Sequence, residues 1–211
     1  MKDYNQLIQT LSLAMGASWA GGINLYATIV MLGGLGMVGA IRLPDGLQML
    51  THPAVIGAAA IMYIVEFFAD KIPVVDNTWD AVHTFIRIPL SALLAAGAVG
   101  DVSPALSIAA GLLGGGIAAS THSAKAGTRM LLNVSPEPFT NIAASLTEDV
   151  AVVAGLWTAL HYPLIFILLF IIFLLLLLWL LPNIWRGVKK IVDMFRRFFG
   201  GRPSTSDAGS S

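Results

Sequence analysis

The hydrophobic and polar positions of this chain alternate on a long scale: extended apolar runs separated by short polar clusters. Crossing the hydrocarbon core of a bilayer takes about 20 mostly apolar residues in a helix. Six segments meet or approach that length, namely Leu7 to Ile41, Pro53 to Asp70, Phe85 to Gly100, Pro104 to Met130, Asn141 to Leu160 and Pro163 to Leu181. The last is the cleanest, since Trp179 supplies the one polar group between Leu164 and Leu181. The first and fourth are too long for one straight crossing, and each carries glycines: Gly16, Gly21 and Gly22 in one, Gly111, Gly114, Gly115 and Gly116 in the other. Glycine there permits close helix contact, a kink or an unwound turn.

The two long segments resemble one another at an offset of 95 residues. Leu11-Ser12-Leu13-Ala14-Met15-Gly16 matches Leu106-Ser107-Ile108-Ala109-Ala110-Gly111, and Gly21 meets Gly116. Each is followed by a helix bearing acids (Glu66 and Asp70; Glu148 and Asp149) and then by a helix opened by proline (Ile88-Pro89; Tyr162-Pro163). Three crossings per half point the halves in opposite directions. The expected fold is therefore all-α, a polytopic membrane protein of about six transmembrane helices in two inverted three-helix repeats, 1–103 and 104–183, with broken glycine-rich helices. Residues 184–199 place Ile184, Val188, Ile191, Val192, Phe195, Phe198 and Phe199 mainly on one face and Arg186, Lys189, Lys190, Arg196 and Arg197 around the other, an amphipathic helix for the membrane surface. Residues 200–211, rich in Gly, Ser, Pro and Thr, are expected to be a disordered tail.

Composition narrows the function classes. With 56% apolar and 11% charged residues among 211, the chain is not a soluble globular domain. Twelve bases balance twelve acids, but six bases lie beyond Trp185 (Arg186, Lys189, Lys190, Arg196, Arg197, Arg202). A basic segment beside an apolar helix suits the bilayer and its anionic lipids as partners, and no nucleic acid. The absence of cysteine excludes disulfides, thiolate metal sites and a thiol nucleophile, and no cofactor is implied. The N-terminus lacks a cleavable signal pattern and is expected to stay in the mature protein. Lysine and arginine favour the cytoplasmic side, which predicts a multi-pass protein of the bacterial inner membrane with its C-terminus in the cytoplasm. Counting six crossings back puts Lys2 on that side too, and Arg42 outside.

Charged groups at membrane depth cost about 2.5 to 3.5 kcal/mol each even on the lenient insertion scale, so each needs a reason. Three clusters stand out. Glu66 and Asp70 share a helical face, and Asp76, Asp80, His83 and Arg87 form a second stripe beyond Pro73. His122, Lys125 and Arg129 share a face of the fourth segment, while Glu148 and Asp149 lie well inside the otherwise apolar fifth. Two readings stand side by side: acids pairing with bases to lock the bundle, with Arg129 to Glu66 or Glu148 and Arg87 to Asp80 as couples, or a functional polar site. His83 and His122 either handle protons or simply hydrogen-bond.

At these clusters the sequence is similar to small bacterial and plastid integral membrane proteins of unknown function. The residues carrying the resemblance are Gly21-Gly22-Ile23-Asn24-Leu25-Tyr26-Ala27-Thr28, Glu66 with Ala69-Asp70-Lys71-Ile72-Pro73 and Asp76, Asp80-Ala81 with His83-Thr84, Ile86 and Arg87, Lys125-Ala126-Gly127-Thr128-Arg129, and Ser145-Leu146 with Glu148-Asp149. Ile88 before Pro89 departs from that pattern. The resemblance implies a shared polar site and brings no activity with it.

The leading expectation is a small transporter or channel for a cation or a proton-coupled solute, its ion- or substrate-binding set being Asn24, Glu66, Asp70, Asp76, Asp80, His83, His122, Lys125, Arg129, Glu148 and Asp149. Glycine stripes at Gly33-Gly34-Leu35-Gly36 and Gly111 to Gly116 suggest a homo-oligomer. One alternative is an inner-leaflet enzyme or carrier in which His122, Lys125 and Arg129 grip a lipid phosphate while Asp80 orients His83; another is a membrane scaffold subunit.

Overall fold

The computed structural model describes residues 2–100, 102–132 and 138–199. It is all-helical among these residues: α1 (Lys2–Ile23), α2 (Leu25–Met37), a short 3-10 helix (Asp45–Thr51), α3 (Pro53–Ala69), α4 (Pro73–Val99), α5 (Pro104–Leu132), α6 (Pro138–His161) and α7 (Pro163–Phe199). Helices α3 to α7 each start on a proline, whose missing N–H and fixed φ suit the first helical position. Four stretches are long and apolar enough to cross a membrane (Thr78–Val99, Pro104–Leu132, Phe139–His161, Pro163–Gly187), and a fifth arises if the 3-10 helix and α3, bent by 68°, form one span. This is a polytopic membrane protein, with four or five such spans where the sequence suggested about six.

The first long segment does not cross once. It breaks at Asn24, which leaves the helical region (φ −145°, ψ 98°) and accepts a hydrogen bond from the Ala27 amide on its own side chain, capping α2. The chain then turns back. Gly36 at the end of α2 packs on Leu43 and Thr51. Ile41 to Asp45 share a cavity of about 900 Å³ with Asn5, Gln6, Gln9 and Thr10 of α1 and His161 of α6. So α1 and α2 form a hairpin whose two open ends lie at one end of the bundle, here the vestibule end, while its tip at Asn24 reaches inward. Arg42 lies at the same end as the start of α1, against the expectation that Lys2 and Arg42 fall on opposite sides; the cap at Asn24 is the reason.

The second glycine-rich segment, by contrast, runs unbroken as α5. Three of its glycines, Gly111, Gly114 and Gly115, serve contact, while Gly116 faces open space. Gly114 faces Ala95 and Ser18, and Gly22 of α1 lies against Ala118 and Thr121 of α5. These pairs, with Lys125 reaching the Ile23 carbonyl, run in ascending order along both helices. The two segments matched in sequence are thus neighbours running in the same direction, so this pair is not an inverted one. Helix α4 lies antiparallel to α5, from Arg87 beside His122 to Ala96 beside Ser107.

Helix α4 begins twelve residues before the expected Phe85 and passes through Pro89, whose ring faces outward. Helix α7 likewise passes through Pro182, so 184–199 continue the last span as one helix. Gly187 touches Leu131, which sets the basic end of α7 beside the end of α5, opposite the vestibule. The core is small-residue rich (Ala17, Ala20, Ala95, Ala98) with Leu25, Leu32, Leu94 and Leu156, and the large apolar side chains of α7 mostly face outward, as lipid contact requires. Residues 200–211 lie outside the described residues.

Candidate functional site

Four helices bring ionisable side chains together near the tip of the α1–α2 hairpin. Glu66 comes from the last turn of α3 and Asp70 from the cap that follows it, Asp80 and Arg87 from one face of α4, His122, Lys125 and Arg129 from one face of α5, and Glu148 and Asp149 from α6. Glu66, Arg87 and Arg129 are 0–1% exposed and Lys125 is 6%. The cluster's more exposed carboxylates are Glu148, whose side chain is 22% exposed, and half-buried Asp149.

Three bases organise the cluster. Arg87 donates through Nη2 to Glu66 Oε1 at 2.6 Å, and through Nη1 to Asp80 Oδ1 at 3.2 Å and His122 Nδ1 at 2.9 Å. Arg129 grips Glu148 with two bonds, Nε to Oε1 at 3.0 Å and Nη2 to Oε2 at 2.8 Å; its Nη1 donates to the Asn141 side chain and to the carbonyls of Asn141 and Asp70. Such bidentate guanidinium–carboxylate pairs are among the stronger polar contacts. Lys125 lies between them, its Nζ 3.3 Å from Asp70, 3.4 Å from Glu66, 3.5 Å from Glu148 and 4.0 Å from Asp80.

The hairpin tip adds backbone electrostatics. Lys125 Nζ also donates to the Ile23 carbonyl at the C-terminus of α1, at 3.1 Å. Asp149 Oδ1 accepts from Asn24 Nδ2 at 3.0 Å, beside the N-terminus of α2. A cation at a helix C-terminus and an anion at an N-terminus both match the helix dipole.

The two histidines part company. An arginine can only donate, so His122 Nδ1 accepts from Arg87 and its Nε2–H donates to Thr84 Oγ1 at 2.7 Å, which in turn donates to the Asp80 carbonyl. His122 is thereby held neutral. His83 instead donates from Nδ1 to the Trp79 carbonyl and stacks on the Trp79 ring at 3.9 Å. Asp80 does not orient it, and it stands apart from the bases. The side chain of Asp76 lies outside the described residues.

The expected couples Glu148–Arg129 and Asp80–Arg87 are both present, and Glu66 goes to Arg87 and Lys125. The carboxylates of Glu66, Asp70 and Asp80 do not line an open cavity; each is buried against a base. The hydroxyls of Thr28, Ser120 and Thr121, on the helices around the cluster, are spent on carbonyls four residues back in the chain. One contributor went unmarked in the sequence, Asn141, although Asn141, Ser145 and Glu148 are spaced i, i+4, i+7 on one face of α6. Arg87, expected to pair with Asp80, also holds Glu66 and His122 and proves central.

The pairing is incomplete. Glu66 Oε2, Asp70 Oδ1 and Asp80 Oδ2 are buried and have no hydrogen-bond donor among the described residues, and Arg87 Nε, Asn141 Nδ2 and Ser145 Oγ have no acceptor. Five carboxylates (Glu66, Asp70, Asp80, Glu148, Asp149) meet three bases (Arg87, Lys125, Arg129). Lys71, at the rim, turns its ammonium onto the Phe67 carbonyl and ring; burial lowers its affinity for a proton. Among the described residues no group of three His, Cys, Asp or Glu is arranged to hold a metal ion.

No curated protein and no solved structure matches the chain. One family model matches, described as a domain of unknown function, and it spans residues 11–183, from the third turn of α1 to the point where α7 turns basic. The matched region contains the hairpin tip and every member of the charge cluster. The chain therefore belongs to the DUF4126 family.

Proposed function

We propose that this protein is a small membrane transporter or channel for a cation, or for a solute moved with a proton, and that the buried cluster is its binding site in a closed conformation. The observation that carries the reading is the imbalance of the cluster. Buried polar groups in native proteins are almost always satisfied, and a lock evolved only to hold helices together gains nothing from surplus charge. Among the described residues three buried carboxylate oxygens stand without donors, and the five carboxylates of the cluster outnumber its three bases by two. Protons or cations entering by way of Glu148 and Asp149 would neutralise that surplus. The broken helix supports the same reading, because transporters commonly place the ends of discontinuous helices at their sites.

The lipid-phosphate enzyme is less well supported. Lys125 and Arg129 are already engaged by carboxylates, which repel phosphate, and His83 is stacked on Trp79 away from them. For orientation, the basic end of α7 and the charge cluster share one end of the bundle, and the positive-inside tendency turns that end toward the cytoplasm of a bacterial inner membrane. Homo-oligomers and anionic lipid at the basic segment belong to the same proposal.

Proteoliposome flux tests it. Uptake that depends on a cation gradient or on pH, and that is lost in Glu66→Gln and reduced in Glu148→Gln, is the expected result. Identical flux in vesicles with and without the protein would refute it.

A further inference from the structure

Lys125 sits where a bound cation would sit. Its Nζ has five oxygens around it: the Ile23 carbonyl at 3.1 Å, Asp70 Oδ2 at 3.3 Å, Glu66 Oε1 at 3.4 Å, Glu148 Oε2 at 3.5 Å and Asp80 Oδ1 at 4.0 Å. An ammonium has three N–H donors, so five oxygens exceed what directed hydrogen bonds can use. With the ammonium among them the four carboxylates stand too far apart to ligate a metal ion directly, yet with the helix-end carbonyl they surround its position with oxygens alone, the donor type hard cations take. The shell comes from four separate elements, and three of its carboxylates keep a second buried oxygen with no hydrogen-bond partner among the described residues.

We infer that the Lys125 ammonium is a tethered stand-in for a monovalent cation, of ammonium or potassium size, that exchanges with it in this shell. The inference rests on the transport reading and names its ion class. Charge favours a monovalent ion. The four carboxylates of the shell, less Arg87 and Arg129, leave two negative charges, of which Lys125 neutralises one; a single monovalent cation replaces it charge for charge. The flexible four-carbon stem of lysine lets the ammonium withdraw as the ion enters, so the buried acids are never left without a counter-charge.

The test is the thermal stability of full-length Lys125→Met in detergent, at constant ionic strength, with N-methylglucamine, lithium, sodium, potassium, ammonium or magnesium chloride. The expected result is a saturable rise in apparent melting temperature of at least ~5 °C in potassium or ammonium over N-methylglucamine, with no such rise in wild type. Recovery of folded variant only from potassium or ammonium buffers would be the same result in stronger form. The double variant Lys125→Met/Asp70→Asn removes base and acid together and is expected to fold without cation preference. Equal stability of Lys125→Met in all salts, larger rescue by magnesium, or failure in every salt while the double variant folds would overturn the inference. Salt-blind Lys125→Met beside cation-dependent wild-type flux would sink the lysine exchange alone. A cation-rescued variant beside inactive wild-type vesicles would sink the transport reading and leave the cation seat standing.

Discussion

Glu66 Oε1 and Arg87 Nη2 stand 2.6 Å apart with both side chains shut away from their surroundings, one at the end of α3 and the other in the middle of α4. Breaking a buried ion pair from one side leaves an uncompensated charge, at a cost of about 3–5 kcal/mol. Arg87→Met is therefore expected to lower the unfolding free energy by about that amount. Because Arg87 also serves Asp80 and His122, Glu66→Gln should cost less. The double variant should lose less than the sum of the two, which chemical denaturation of all four proteins measures.

The helix contacts give a second, independent prediction. A methyl group on Gly22 would come within 2.7 Å of the Ala118 carbonyl and 2.9 Å of Thr121 Cβ, where α1 and α5 run side by side. The obstacle is backbone and cannot swing away. Gly22→Ala should destabilise by about 1–3 kcal/mol, as overpacking does. Gly116→Ala, with nothing within 4 Å, should be neutral or stabilising by up to about 1 kcal/mol in detergent melts.

The hairpin fixes a topology that labelling can read. The start of α1 and the basic end of α7 lie at opposite ends of the bundle. The native chain has no cysteine, so single thiols report cleanly. Gln6→Cys and Arg42→Cys should react with an impermeant maleimide from one side of the membrane and Lys189→Cys from the other. Gln6 and Lys189 labelled from the same side would contradict the hairpin.

Asn24 joins the two halves of that hairpin to the site. Its Oδ1 caps α2 and its Nδ2 binds Asp149. Asn24→Ala should cost about 1 kcal/mol from the cap alone and more from the stranded carboxylate. Asn24→Asp keeps the cap but sets two carboxylates together, and should depend on pH: protonating either acid at low pH relieves the repulsion, so this variant gains stability relative to wild type as pH falls. Denaturation at pH 5 and pH 8 checks the sign.

Much of the site was legible because helical period is rigid. Asp80, His83 and Arg87, like His122, Lys125 and Arg129, had to share a face once their segments were helices, and all six are buried. The location of the break was not legible. Glycine clusters mark places where helices either part or press together, and only the second use applies in α5. What ends α1 is an asparagine oxygen reaching a backbone amide, a signal present in the residue type but lost among apolar neighbours. The direction of α1 against α5 followed from that break, so the inverted pairing inferred from the 95-residue offset failed with it. Proline misled as well. Pro73 opens α4, while Pro89 and Pro182 sit inside helices with outward rings.

The central claim is that the buried acids take up a mobile positive charge. Wild-type protein in vesicles on a solid-supported membrane, given a jump in potassium, ammonium or proton concentration, should produce a transient current, and Glu66→Gln, folded and reconstituted to the same density, should produce almost none. Currents of equal size in both proteins, or none from the wild type for any of these ions, would contradict it.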